Sequence, residues 1–122
     1  MKGEARKMKL KDKVAMVTGA AQGIGRGVAL EYAKNGAKLA IMDINGLKLS
    51  DTAKEIESLG VSCIQMTGDV SDTEAVQLFV KTTVEQLGSI DVLTHAAGIL
   101  RSCAVVDQDE SDWDTVIAVN LR

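Results

Sequence analysis

Apolar residues along this chain fall into two alternating rhythms. Val14-Ala15-Met16-Val17-Thr18 is a continuous apolar run ending at Gly19, the pattern of a strand covered on both faces. From Gly23 to Asn35 the apolar positions recur at helical spacing. Ile24, Val28 and Tyr32 share one face there, and Asn35-Gly36 is a stop signal. Ala37 to Ile44 predicts a second strand, with Leu39, Ala40, Ile41 and Met42 apolar. Gly46 to Leu59 predicts a charged helix closed by Gly60, and Val61 to Val70 carries a third strand. Ser71-Asp72-Thr73-Glu74 has the spacing of a capping box. Behind it, Val76, Phe79, Val80, Val84 and Leu87 form the apolar face of a helix that Gly88 ends. Ile90 to Thr94 reads as a fourth strand running into His95-Ala96-Ala97-Gly98. Ser111-Asp112-Trp113-Asp114 starts a last helix toward Arg122, with Trp113, Val116, Ile117 and Asn120 on neighbouring faces.

The order β-α-β-α-β-α-β-loop-α predicts an α/β fold. It is a doubly wound parallel sheet with right-handed crossovers, truncated after the helix that follows strand four. At 122 residues the chain suits one compact domain, placed at 12–122 behind a charged tail at 1–11. Apolar residues at 46% and charged ones at 25% disfavour disorder. A net charge of -3 and a pI near 5.1 argue against a nucleic-acid partner. No apolar run approaches the roughly 20 residues of a membrane span. The basic start MKGEARKMKLKDK has no apolar segment behind it long enough for a signal peptide. A cytoplasmic address is therefore expected.

Metal chemistry finds little support. Cys63 and Cys103 are the only cysteines and His95 the only histidine, so neither a disulfide framework nor a zinc site is indicated. The stretch Asp107, Asp109, Glu110, Asp112, Asp114 is the one acidic cluster. Read as a calcium loop, it places Asp112 where the turn glycine belongs, so a solvated loop entering an acidic helix start is favoured.

The first strand feeds Thr18-Gly19-Ala20-Ala21-Gln22-Gly23-Ile24-Gly25. A glycine-rich turn between a strand and a helix makes an anion site, because the free N–H groups and the helix dipole favour a phosphate. No Lys-Ser or Lys-Thr follows in the manner of a nucleotide-hydrolysing loop, so ATP or GTP hydrolysis is disfavoured. Asp43 closes the second strand about 20 residues further on, the interval for an acid that accepts hydrogen bonds from a ribose diol. The same side chain suits a cap on the turn Asp43-Ile44-Asn45-Gly46, and the two roles are compatible. A carboxylate there repels a 2′-phosphate. Two unit charges 4 Å apart interact by about 1 kcal/mol in water and about 4 at a partly buried site. NAD is therefore expected over NADP by tenfold or more.

With these residues in place, the chain resembles the short-chain dehydrogenase/reductase family, in its ketoacyl-reductase-like and hydroxysteroid-dehydrogenase-like branch. Thr18-Gly19 with Gly23-Ile24-Gly25 resembles the family's cofactor turn, in which Gln22 also lies. Asp43, followed by Ile44, resembles its NAD-selecting acid. Asp69-Val70 is similar to the pair that contacts the adenine ring. His95-Ala96-Ala97-Gly98 stands where the family has Asn-Asn-Ala-Gly or Asn-Ala-Ala-Gly, and Asn120 resembles the helix asparagine of the catalytic tetrad. The resemblance runs from about Leu10 to Arg122. It implies a Rossmann-like sheet of order 3-2-1-4, NAD(H) as cofactor, a secondary alcohol or ketone as substrate, and a homo-oligomer in the complete enzyme.

Two departures from the family pattern matter. His95 replaces an asparagine that ties the central strands together, and an imidazole can keep that bonding role. A catalytic His95 is disfavoured, since no orienting carboxylate is evident. The family's chemistry also uses a serine and a Tyr-x-x-x-Lys downstream of the helix asparagine. Here the only tyrosine is Tyr32, with Gly36 four places on, and Ser89, Ser102 and Ser111 all precede Asn120. The chain alone is therefore expected to show no turnover of an alcohol or ketone. It is read as the cofactor-binding portion of an oxidoreductase. The alternatives are a non-catalytic NAD-binding module, or a partner that pairs with a full-length relative through an open apolar edge at Ile90 to Thr94.

Overall fold

The computed structural model describes residues 9–96. Those residues form β1 (Val14–Thr18), α1 (Gly23–Lys34), β2 (Lys38–Asp43), α2 (Gly46–Ser58), β3 (Cys63–Thr67), α3 (Thr73–Leu87) and β4 (Val92–His95). All strand pairs are parallel and the order is β3-β2-β1-β4, as expected. Because β1 is covered on both faces, all five of its residues are buried. Alternation along β1 and β2 then sorts side chains to two cores. Ala15, Val17, Leu39 and Ile41 meet Ala29 and Ala33 of α1 and Leu49, Ala53 and Ile56 of α2. On the other face Met16, Ala40 and Met42 meet Phe79 of α3. Helices on both faces make the sheet doubly wound.

Several local expectations need correction. In α1 the buried positions are Gly25, Ala29 and Ala33, whereas Ile24 is 62% exposed. Small residues let the helix axis come close over the sheet, and the larger Val28 and Tyr32 flank the contact. In α3 the buried pair is Phe79 and Thr83, while Val80 and Val84 are exposed. The Thr83 hydroxyl donates to the Phe79 carbonyl at 2.7 Å, so it enters the core already satisfied. The cap of α3 is Asp72, whose carboxylate accepts from the N–H groups of Glu74 and Ala75, while the Ser71 hydroxyl turns back to Asp69. A carboxylate at the N-cap is also favoured by the helix dipole. The third strand occupies Cys63–Thr67, inside the stretch Val61 to Val70 expected to carry it. Leu10, inside the charged N-terminal stretch, docks on the first core, and its N–H donates to the Asn35 carbonyl at 2.8 Å.

Among the described residues β4 pairs with β1 alone, and no helix is long and apolar enough to cross a membrane. Ala97, Gly98, Cys103, the acidic stretch from Asp107 to Asp114, the helix expected from Ser111 and Asn120 lie outside the described residues.

Candidate functional site

The carboxyl ends of the four strands bring Thr18, Asp43, Thr67 and His95 to one rim of the sheet. In open α/β sheets ligands bind at this rim, where the strand order reverses. The reversal here falls between β1 and β4, next to the glycine turn.

That turn is fixed from several directions. The N–H groups of Gly19 and Ala20 both donate to the Met42 carbonyl, at 2.8 and 3.3 Å, and the N–H of Ala21 donates to Asp43 Oδ2 at 3.0 Å. Gly23 then opens α1 at φ +61, where an added Cβ would meet nothing within 4 Å. Its left-handed dihedral favours glycine, and the space beside it is open. Gln22, the N-cap, supplies no side-chain cap, so the first N–H groups of α1 lack both an intrahelical acceptor and a capping oxygen. Gly25 has a different task. A Cβ there would lie 1.9 Å from the Gly19 carbonyl oxygen, so the helix can approach the turn only with glycine at this position.

Asp43 uses both carboxylate oxygens within the fold. Oδ2 takes the Ala21 N–H, and Oδ1 takes the Asn45 N–H at 3.0 Å, while the Asn45 side chain caps α2 through the Lys48 N–H. The turn-capping role weighed from sequence is thus present. Each oxygen keeps lone-pair capacity for a further donor. A cleft of about 150 Å³ lies against this acid, lined by Gly19, Asp43, Ile44, Gly68, Asp69 and Val70. The structure therefore gathers five residues singled out from three separated stretches of sequence. Asp69 accepts from the N–H and hydroxyl of Ser71, both at 2.8 Å, and these bonds hold its carboxyl below the ordinary value.

His95 faces Thr18 across the β1–β4 ladder, with Nδ1 and Oγ1 2.5 Å apart. Its neighbour Thr94 bonds the Tyr32 hydroxyl of α1 at 2.7 Å. The imidazole thus joins the two strands, the role its asparagine counterpart suggested. It also lines a second cleft of about 170 Å³ that shares Val70 with the first. Ala96 ends the described chain beside Gly25.

Sequence reasoning missed the buried Thr52, the Tyr32–Thr94 bond and Arg26, whose guanidinium reaches Thr52 and Glu55. The available signal was a threonine in register with Leu49, Ala53 and Ile56 on the inner face of α2. Burial and the nearby charge of Glu57 push the Cys63 thiol up to about 12, so it is no nucleophile at neutral pH. Among the described residues no group of three His, Cys, Asp or Glu side chains is placed to hold a metal ion. A larger cavity of about 430 Å³ opens at the opposite end of the strands, between Lys11, Lys38 and Gly60, away from every predicted site residue.

Comparison with known proteins agrees with this geometry. The family model described as short chain dehydrogenase matches residues 13–122. The short-chain dehydrogenase/reductase eriH of Hericium erinaceus is 42% identical over 113 residues, covering 89% of this chain and 45% of that protein. The 3-oxoacyl-(acyl-carrier-protein) reductase of Thermotoga maritima is 39% identical over 115 residues, covering 94% of this chain and 47% of its own length. Carveol dehydrogenase from Mycobacterium avium, solved in complex with NAD, superposes with a TM-score of 0.68 at 33% identity, covering 70% of this chain and 35% of that one. The chain spans about half the length of the curated relatives it matches.

Proposed function

The chain belongs to the short-chain dehydrogenase family, and on that premise we propose that it holds NAD(H) for an oxidoreductase acting on a secondary alcohol or ketone. One observation carries the reading. The uncapped start of α1 meets open space at Gly23, and the Asp43 carboxylate stands one hydrogen bond away in the same turn. A dinucleotide fits these residues. The N–H groups entering α1 suit its pyrophosphate. The cleft along Gly19, Asp43 and Ile44 suits the adenosine ribose, and Asp69 and Val70 suit the adenine edge. When bound, the nicotinamide supplies the acceptor or donor of a hydride.

This chain's own residues bind and orient. Asp43 offers its remaining lone pairs to the ribose diol, and its charge opposes a 2′-phosphate, which favours NAD over NADP. His95 keeps β4 in register with β1, which sets the floor against which Ala96, and in our reading Ala97 and Gly98, approach the cofactor. Asn120 takes the part of the tetrad asparagine. The Tyr32 hydroxyl is committed to Thr94 and is no proton donor for substrate. Turnover by the 122 residues alone is therefore not expected. For the complete enzyme we place the protein in the cytoplasm as a homo-oligomer, with residues 12–122 as its dinucleotide-binding part.

Fluorescence titration tests the assignment. NADH is expected to bind at least about tenfold tighter than NADPH, the gap that a few kcal/mol of charge repulsion produces. Asp43→Ala weakens both ligands by freeing the Ala21 N–H, and it narrows their ratio. Equal affinities in the unaltered protein refute the role given to Asp43.

A further inference from the structure

We propose that Thr52 of α2 is the positioning residue of the dinucleotide turn and that Arg26 of α1 directs its hydroxyl; the inference rests on the turn being the pyrophosphate site. Thr52 is fully buried on a helix face otherwise made of Leu49, Ala53 and Ile56. Its Oγ1 lies 3.0 Å from the Ala20 carbonyl oxygen, 3.4 Å from that of Ala21 and 3.3 Å from that of Lys48. A hydroxyl carries one proton, so these three acceptors compete. A helical threonine ordinarily bonds back to the carbonyl four residues earlier, which here is Lys48. The shortest of the three distances instead leads out of the helix to the turn.

Arg26 occupies the acceptor side of the same hydroxyl. Its Nη1 donates to Thr52 Oγ1 at 3.1 Å, and its other terminal nitrogen pairs with Glu55 one turn further along α2. The guanidinium fills a lone pair on Oγ1 and leaves the proton to be given to a carbonyl. Hydrogen bonds linked in this way strengthen one another. The turn is then held on both sides of its backbone. The N–H groups of Gly19, Ala20 and Ala21 go to Met42 and Asp43, and the carbonyl of Ala20 goes to Thr52. The N–H groups left at this junction are those entering α1, the ones a pyrophosphate needs.

Thr52 touches no ligand in this arrangement, so it acts on binding through the fraction of molecules whose turn is correctly set. Apparent affinity falls in proportion to that fraction. Loss of one buried bond, with the Arg26 guanidinium left short of an acceptor, is expected to weaken pyrophosphate ligands about tenfold.

The test uses the purified protein and three probes: NADH, ADP-ribose and adenosine, the last followed by ligand-observed NMR. Thr52→Val is expected to weaken NADH and ADP-ribose about tenfold and adenosine less than about twofold. Thr52→Ser restores the unaltered values, and Arg26→Leu gives a partial loss with the same selectivity. If the unaltered protein binds neither NADH nor ADP-ribose, the pyrophosphate reading itself fails. If it binds them and Thr52→Val leaves them unchanged, or weakens adenosine as much as ADP-ribose, the positioning role is overturned. Should Thr52→Val not fold, Arg26→Leu decides, and an unchanged ADP-ribose affinity there overturns the proposal.

Discussion

Replacing Gly25 by alanine tests the packing of the turn most directly. The added Cβ would lie 1.9 Å from the Gly19 carbonyl oxygen, 2.7 Å from its carbon and 2.9 Å from the Ala96 Cβ. Ordinary contact begins near 3.4 Å, so α1 must retreat from the turn by more than an ångström. The obstacle is backbone on one side and the chain just after β4 on the other, so no flexible side chain can yield. Overpacking typically costs 1–3 kcal/mol, and a clash with backbone belongs at or above the top of that range. Alanine returns about 1 kcal/mol through its better helix propensity, leaving a net loss of about 2 kcal/mol or more. Gly27→Ala is the internal control. It lies in the same helix, is exposed, and its Cβ would meet nothing within 4 Å. That substitution is expected to stabilise by about 0.5–1 kcal/mol. Urea denaturation followed by circular dichroism measures both, and the midpoints should move in opposite directions. NADH affinity should fall with Gly25→Ala and hold with Gly27→Ala. If Gly25→Ala is as stable as Gly27→Ala, the close approach of α1 to the turn is refuted.

Three further outcomes follow from the same contacts. Asp72→Ala removes the acceptor of two N–H groups at the start of α3 and should cost about 1 kcal/mol in the same denaturation assay, whereas Ser71→Ala should cost less. Tyr32→Phe leaves the buried Thr94 hydroxyl without its α1 partner and should cost about 1 kcal/mol, with amide exchange quickening in β4 before β1. Cys63, with its thiol raised from 9.0 to about 12, is neutral in the fold, so its contribution to stability is complete below pH 9 and is lost as pH climbs toward 12. Peptide mapping after iodoacetamide treatment should accordingly find Cys63 slow to alkylate in the folded protein at pH 9 and fast in urea.

Much of the architecture was legible because β1 and the middle of β2 are apolar without interruption and each helix is followed within two residues by a glycine. Strand order needed the family resemblance, since periodicity is silent on which strands are neighbours. The apolar faces of α1 and α3 were placed only in part: Phe79, Val28, Tyr32 and Leu87 do reach the cores, whereas Ile24, Val80 and Val84 do not. The misses share one physical reason. Counting large apolar residues ignores that Gly25, Ala29 and Ala33 permit close packing and that Thr83 can satisfy its own hydroxyl. At the site, Gly19, Asp43, Ile44, Asp69 and Val70 line one cleft, a convergence that for Asp69 and Val70 only the family resemblance had implied. The Asp43–Ala21 bond was not foreseeable, because it depends on how far the turn leans over β2. The helical register could have flagged Thr52 as buried, but the partners that give Thr52 and Arg26 their roles lie more than twenty residues away and were not legible.

The position of β1 bears on how the chain is made as well as on how it is held. It is the earliest of the described strands and lies inside the sheet, between β2 and β4, and its partner residue in β4 arrives 77 positions later. At about 5–20 residues per second, a ribosome needs roughly 4–15 s to deliver that partner. During that interval β1 and β2 can join, yet the other margin of β1 displays an apolar strand with unpaired backbone groups. That margin is the surface a chaperone must shield and a second nascent chain can capture. Synonymous codon changes that slow translation between β2 and β4 would lengthen this exposure and raise the aggregated fraction without altering a single residue.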